Sequence, residues 1–248
     1  MKRSRTTGRF ILLAAYLVAG LPVYGKTAVE VLQEAAERWK GVHDYSAYFR
    51  QRNSELSGES MFLGKLSLCR LPEDTDRAYL RLDYFDTKDD PSADGPPVIE
   101  TGPLRDLYFS DGETLWHYRP NENQVTMEWL SAEGPFPEIL LIAGFLKLDI
   151  EKFRETHYFK PVVIEPIQGQ STYRVSIVPK GDAKELEPLR DLWLAQDSLL
   201  PARVATGGEI SVVVDLWMQK TDQQLDPQSL IPVIPKSAEQ IDLRRHTR

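Results

Sequence analysis

Between Thr27 and Lys40 the apolar residues Val31 or Leu32, Ala35 and Trp39 recur at helical spacing, with Glu34, Glu37 and Arg38 between them. This predicts a surface helix with one apolar stripe, stopped by Gly41. The period then changes to two. In Asp44 to Gln51, Tyr45, Ala47 and Phe49 alternate with Ser46, Tyr48 and Arg50. In Ser60 to Arg70, Phe62, Leu66, Leu68 and Arg70 share a parity, and in Arg77 to Phe85, Leu80, Leu82 and Tyr84 do so opposite Arg81 and Asp83. These are strands with one wet face, as in an antiparallel sheet.

Asp86 to Gly102 is rich in Pro, Gly and Asp and reads as a loop, an insertion or flap. In Leu107 to Tyr118 the pair Asp111-Gly112 between two apolar runs predicts a hairpin. Gln124 to Leu130 follows as a strand, with Val125, Met127 and Trp129 on one parity. Pro137 to Leu148 is a second helical candidate, apolar almost all round, so it is either buried or covers something apolar. Strand patterns return at Thr172 to Val178, Leu189 to Ala195, Pro201 to Thr206 and Ile210 to Gln219. The last alternates Ile210, Val212, Val214, Leu216 and Met218 on one face. The prolines of Leu230 to Pro235 suit only an edge or a loop, and Arg244, Arg245 and Arg248 form a solvated basic tail.

About nine strands in series with two helices do not alternate as a parallel α/β sheet would; one curled antiparallel sheet fits. Its concave face carries large apolar residues, which either fill a core or leave a cavity.

The first 25 residues are of another kind. Met1 to Arg9 carries four positive charges and no acid, Phe10 to Leu21 is uncharged, and Val23 and Gly25 are suited to a cut after Gly25. This predicts a signal peptide over 1–25, with an uncleaved anchor as the alternative, and a single domain over 26–248. Removing Lys2, Arg3, Arg5 and Arg9 from 30 positive groups, with all 37 negative ones kept, takes the net charge from -7 to -11. So acidic a product does not fit a broad nucleic-acid surface.

Candidate chemistry is sparse. Cys69 is the single cysteine, which excludes an internal disulfide and a cysteine-built zinc site. His43, His117, His157 and His246 lack ligand spacing, and Asp86 to Gly102 lacks the oxygen-ligand pattern of a calcium loop. There is no G-x-S-x-G elbow, Gly-rich phosphate loop or H-E-x-x-H helix. The pairs Glu113 with His117 and Asp83 with Asp86 carry little weight among so many acids. Tyr108, Trp116 and Tyr118 could stack sugars or bases, or pack the sheet. No cofactor, metal or catalytic residue is expected. Arg70 has two readings, a strand-end arginine reaching solvent or a cation at the rim of an apolar cavity.

The segment Ser110 to Leu130, SDGETLWHYRPNENQVTMEWL, resembles the periplasmic lipoprotein carrier family LolA. Ser110, Asp111, Gly112, Thr114, Leu115, Trp116, Tyr118 and Pro120 match its hairpin, strand and turn. Ser46, Phe49 and Gln51 of SAYFRQ, Gly64, Leu66, Arg70 and Pro72 of GKLSLCRLP, and PFPEILLIA from Pro135 to Ala143 match in order. The likeness runs from about Val29 to Asp242.

The resemblance implies a mainly β fold, an incomplete antiparallel β-barrel with a helical lid over an apolar cavity. It implies a monomeric periplasmic carrier, without enzymatic activity, that shields the acyl chains of lipoproteins. An inner-membrane ATP-driven release complex would load it and an outer-membrane acceptor would unload it. The family arginine matching Arg70 helps hold the lid closed. Met61, Trp116, Met127, Leu141, Ile142, Phe145 and Met218 are the wall or lid candidates, each with core packing as its alternative. Two other classes stay open: a lipid-sensing or regulatory periplasmic domain on the same fold, and a secreted enzyme with a loop-borne carboxylate site.

Overall fold

The computed structural model describes residues 25–71, 74–86, 102–130, 150–180, 190–207 and 211–246. Helix α1, Ala28–Lys40, starts where the pattern placed it. Thr27 Oγ1 accepts from Glu30 N–H at 3.2 Å, and the Glu30 carboxylate accepts from Thr27 N–H at 2.7 Å, a reciprocal cap for two otherwise unpaired donors. The Thr27 donors hold the Glu30 carboxyl below its usual range. Val31, Leu32, Ala35 and Trp39 face the core.

The chain then runs through β1 (Asp44–Glu55), β2 (Gly58–Leu71), β3 (Asp74–Phe85), β4 (Leu104–Ser110), β5 (Thr114–Arg119) and β6 (Gln124–Trp129). After α2 (Ile150–Thr156) come β7 (His157–Phe159), β8 (Val163–Ile167), β9 (Gln170–Pro179), β10 (Arg190–Ala195), β11 (Pro201–Thr206) and β12 (Ser211–Thr221). The short α3 (Pro227–Leu230) and β13 (Glu239–Asp242) close the described chain.

All thirteen strands lie in one sheet, ordered β13-β6-β5-β4-β3-β2-β1-β12-β11-β10-β9-β7, with β8 also on β9. Neighbours are antiparallel except β13, which runs parallel to β6. Among the described residues the end strands do not pair with one another, so the curved sheet is open and not closed into a barrel. The expected lid helix, Pro137 to Leu148, lies outside the described residues, and with it Leu141, Ile142 and Phe145.

Strand alternation sorts the side chains onto two faces. The α1 face holds the main core, with Tyr45, Phe49, Leu66, Leu82, Val175, Leu194, Val214 and Leu216 buried against Val31, Leu32 and Trp39. Gly64 is needed here. A Cβ at this position would sit 2.3 Å from Phe49 Cζ and 2.5 Å from the Asp83 carbonyl, so only glycine lets the Phe49 ring lie across β2. On the opposite face Cys69, Leu107, Phe109, Tyr118 and Val125 pack under Leu230 and Ala238. The chain after β12 therefore returns across the outside of β2–β5 before β13 joins β6.

The hairpin at Asp111-Gly112 is present. Asp111 Oδ1 accepts from Glu113 N–H at 3.0 Å and Thr114 N–H at 2.9 Å, and Gly112 has φ +93°. Five elements, α2, β7, β8, α3 and β13, have no counterpart in the sequence reading. Met218 departs from its expected face. At φ +50° it forms a bulge opposite Ala47, which breaks the alternation after Leu216 and leaves Met218 63% exposed.

Candidate functional site

The two ends of α1 meet very different surroundings. Its C-terminal end is closed. Arg70, on β2, is only 8% exposed; its Nε donates to the Val42 carbonyl at 2.9 Å and its Nη2 to the Trp39 carbonyl at 3.0 Å. A helix C-terminus has unpaired carbonyls and a negative dipole end, and the guanidinium supplies both donors and charge. The reading of Arg70 as a solvent-reaching residue is corrected: its side chain points to the α1 face and ends on main chain. Beside it Asp44, 2% exposed, accepts from Gln223 N–H at 2.8 Å and Leu225 N–H at 3.1 Å. Asp222 Oδ1 in turn accepts from His43 N–H at 2.9 Å. This exchange ties the segment leaving β12 to the start of β1. The Cys69 thiol, 3.5 Å from the Leu225 carbonyl, is pushed up by burial and then by Asp44 and Asp226, which keeps it protonated and unreactive.

The other described candidates do not gather around Arg70. Trp116 and Met127 are cross-strand partners on the outer face, where Trp116 packs with Phe109 at 5.2 Å between ring centres. Met61 pairs with Arg52, again on the outer parity. Met218 faces solvent. Of the carboxylate pairs, Glu113 lies with Arg77 at 3.4 Å and Asp83 with Arg81 at 2.9 Å. His117 bonds Asp106 at 2.8 Å and stacks on Tyr108 at 4.0 Å, so its acidic partner is not Glu113. Among the described residues no cluster of three or more His, Cys, Asp or Glu could hold a metal ion, and no helix is long and apolar enough to cross a membrane. The Asp86 to Gly102 segment lies outside the described residues save its ends, where Asp86 N–H donates to the Pro103 carbonyl at 3.1 Å.

At its N-terminal end α1 is open. A groove of about 850 Å³ runs between Lys26–Val29, Arg154 of α2, the β7–β8 edge and Lys180. That volume lies within the roughly 300–1,000 Å³ of small-molecule sites. The edge makes the groove. β7 pairs with β9 from His157↔Pro179 to Phe159↔Ile177, and Lys160 N–H still donates to the Ser176 carbonyl at 3.0 Å. β8 resumes at Val163↔Arg174. Pro161 and Val162 thus stand opposite the single Val175, a bulge that bends the edge and turns Val162 toward the core. Pro161 and Pro166 lack the N–H that a further strand would need.

The groove wall is apolar, formed by Val29, Phe159, Pro161, Val162 and Ile164, with Tyr158 beside them. Ile164 is 60% exposed, unusual for so large an apolar side chain. The charged members are Lys26, Arg154, Lys160 and Lys180, joined by His157; among the described residues no carboxylate lines the groove. Lys26 bonds Glu34, which raises the Lys26 ammonium above its ordinary value and lowers Glu34. None of the sequence candidates is among these residues.

No family model and no curated protein matches the chain. Solved structures do. MucB superposes with a TM-score of 0.53 at 14% identity, over 83% of this chain and 62% of that one. In the Pseudomonas aeruginosa MucA/MucB complex the values are 0.51, 13%, 83% and 61%. The chain spans about three fifths of MucB's length. An uncharacterized conserved protein from Thermus thermophilus gives 0.50 at 13% identity, over 85% of this chain and 98% of that one. A LolA superfamily protein from Nitrosomonas europaea also superposes, at 0.38 and 13% identity, over 84% and 99%. What this chain has in common with MucB and the Thermus thermophilus protein is the fold.

Proposed function

We propose that this chain is an exported, non-enzymatic binding protein that takes up acyl chains, of a lipoprotein or a free lipid, in the groove at the open end of α1. The observation that carries the reading is an apolar groove wall that includes Val29, Phe159 and Ile164, with Ile164 exposed, in a chain otherwise rich in charge. Each methylene moved from water onto such a wall gains about 0.8 kcal/mol, so an acyl chain leaves water readily. The groove is wide and one side is a bulged edge strand, so it can adapt to a chain and release it again. The leader-like first 25 residues support a binding step in the periplasm. The LolA-like segment Ser110 to Leu130 supports a carrier that passes cargo from an inner-membrane release complex to an outer-membrane acceptor.

One observation favours a second reading. MucB, at a TM-score of 0.53, was also solved in complex with MucA. On that reading the chain binds lipid to regulate a protein partner and hands nothing on.

The test is to purify the full chain from the periplasm of a Gram-negative host, extract it under denaturing conditions and identify what it carries by mass spectrometry. Acylated protein or lipid in stoichiometric amount is expected. A clean protein that also fails to bind an added acyl probe would overturn the reading. Transfer of bound lipoprotein to outer-membrane vesicles separates a carrier from a regulator, which retains it.

A further inference from the structure

The chain meets the groove before it meets the sheet. Gly25 and Lys26 line the groove ahead of the first turn of α1. A Cβ built on Gly25 would meet nothing within 4 Å, so there is room where the chain enters. Whatever precedes Gly25 is therefore tethered at the mouth of the groove. What precedes it is the longest uncharged run of the sequence, Phe10 to Tyr24, ending in Leu21, Pro22, Val23 and Tyr24.

The groove offers a matching surface. Val29, Phe159, Pro161 and Ile164 line it, and beside them Tyr158 and Ile164 are 39% and 60% exposed. Apolar side chains that cluster at one edge and meet water mark a surface that something covers. Pro22 disfavours a helix at Leu21 and favours an extended path, which puts Leu21 and Val23 on one side. At about 3.3–3.6 Å per residue, Leu21 can stand no more than about 14 Å from Gly25. A short tether of this kind supplies an effective concentration of about a millimolar, which a second copy or a free partner does not reach.

We propose that residues 21–24 cover the groove while the leader is attached, and that a cut after Gly25 opens it. This rests on the acyl-binding reading and adds the regulation of that site. Pro161 and Pro166 withhold the N–H groups that strand pairing on this edge would use, so the cover is held by side chains and the tether. Removing the tether releases it.

The test is alkylation of the variant Ile164→Cys by a maleimide, against a low background because the native Cys69 is buried. The full chain, made by membrane-free translation so that residues 1–25 stay on, is expected to react about tenfold more slowly than the chain beginning at Lys26. The shorter chain keeps every described helix and strand. Adding Leu21→Asp/Val23→Asp to the full chain should restore the fast reaction. Without the Ile164 substitution, binding of the dye phenylnaphthylamine should follow the same order. If the full chain does not stay in solution, a synthetic peptide of residues 20–25 at millimolar concentration should slow alkylation of the shorter chain.

Equal alkylation of the full and the shorter chain overturns the cover and leaves acyl binding standing. So does a slow reaction that Leu21→Asp/Val23→Asp does not relieve, or a peptide that slows nothing. Slow alkylation of the full chain, with no dye or dodecylphosphocholine bound by the shorter one, keeps the cover and overturns the acyl-binding reading.

Discussion

Helix α1 is closed at one end and open at the other, and both ends use cations. At the C-terminal end Arg70 is buried, and its donors are used on the Trp39 and Val42 carbonyls. At the N-terminal end Arg154, Lys160 and Lys180 surround a space with apolar walls. What differs is the setting: Arg70 is buried under a helix end, and the others border an apolar groove. Substitutions at the closed end should therefore cost stability, and those at the open end should cost binding.

Arg70→Leu is the largest expected effect. It keeps apolar bulk but leaves two buried carbonyls without their charged donor, which costs about 2–4 kcal/mol. Urea unfolding should show it as a lowered midpoint with an unchanged slope. Arg70→Lys should fall between, because one ammonium replaces a fork that reaches two carbonyls. A loss below about 0.5 kcal/mol would mean that α1 is held by its apolar stripe alone.

Asp44→Ala comes next. It removes the acceptor for Gln223 N–H and Leu225 N–H, and so releases the start of the segment that crosses the outer face. About 1–3 kcal/mol is expected, with faster amide exchange at Gln223 and Leu225 before any change in α1. Exchange that rises equally over the whole sheet would show that the segment and the sheet unfold as one.

Much of the closed end was legible in the sequence. The helical stripe ending in Trp39 and the parity shared by Leu66, Leu68 and Arg70 put Arg70 on the face that α1 covers. The alternation could not show that its partners are main-chain carbonyls, because carbonyls leave no mark on a sequence. Parity also grouped Met127 with Val125, and Trp116 and Tyr118 read as possible sheet packing, but neither says which face is covered by what. Those residues lie on the outer face, under the chain that returns after β12. Met218 was misplaced because a bulge adds a residue that strict alternation does not count. The open end was not legible at all. It joins residues 25–29, 154–164 and 180, which no local period connects. Its strands are three and five residues long, and β8 carries Pro166. Only the run of exposed apolar residues beside Lys160 could have drawn notice.

Thr27→Ala acts between the two ends. It removes the cap from the end of α1 that borders the groove, at about 1 kcal/mol. The pH dependence has a definite sign. The folded Glu30 pKa is depressed by the Thr27 donors, so its contribution is complete above the unfolded value and is lost as pH falls through the folded one. The parent and Thr27→Ala should therefore differ less in stability under acid than at neutral pH. A constant difference down to low pH would mean that the Thr27 hydroxyl does not hold the Glu30 carboxylate, whose bond from Thr27 N–H the variant keeps.

Ile164→Ser should have the smallest effect on stability and is the sharpest test of the contrast. The side chain is 60% exposed on an edge strand, so folding gains little from it, and a change within about 0.5 kcal/mol is expected. Acyl binding should weaken, because Ile164 is the part of the apolar wall that a ligand would newly cover. The loss should be alike for dodecanoate and dodecylphosphocholine, since it concerns the chain and not the headgroup. An unfolding midpoint that drops as far as in Arg70→Leu would mean that the edge strand belongs to the core and that both ends of α1 are closed. Unchanged stability with weakened binding keeps the two ends distinct, one built to stay shut and one left open for a ligand to complete.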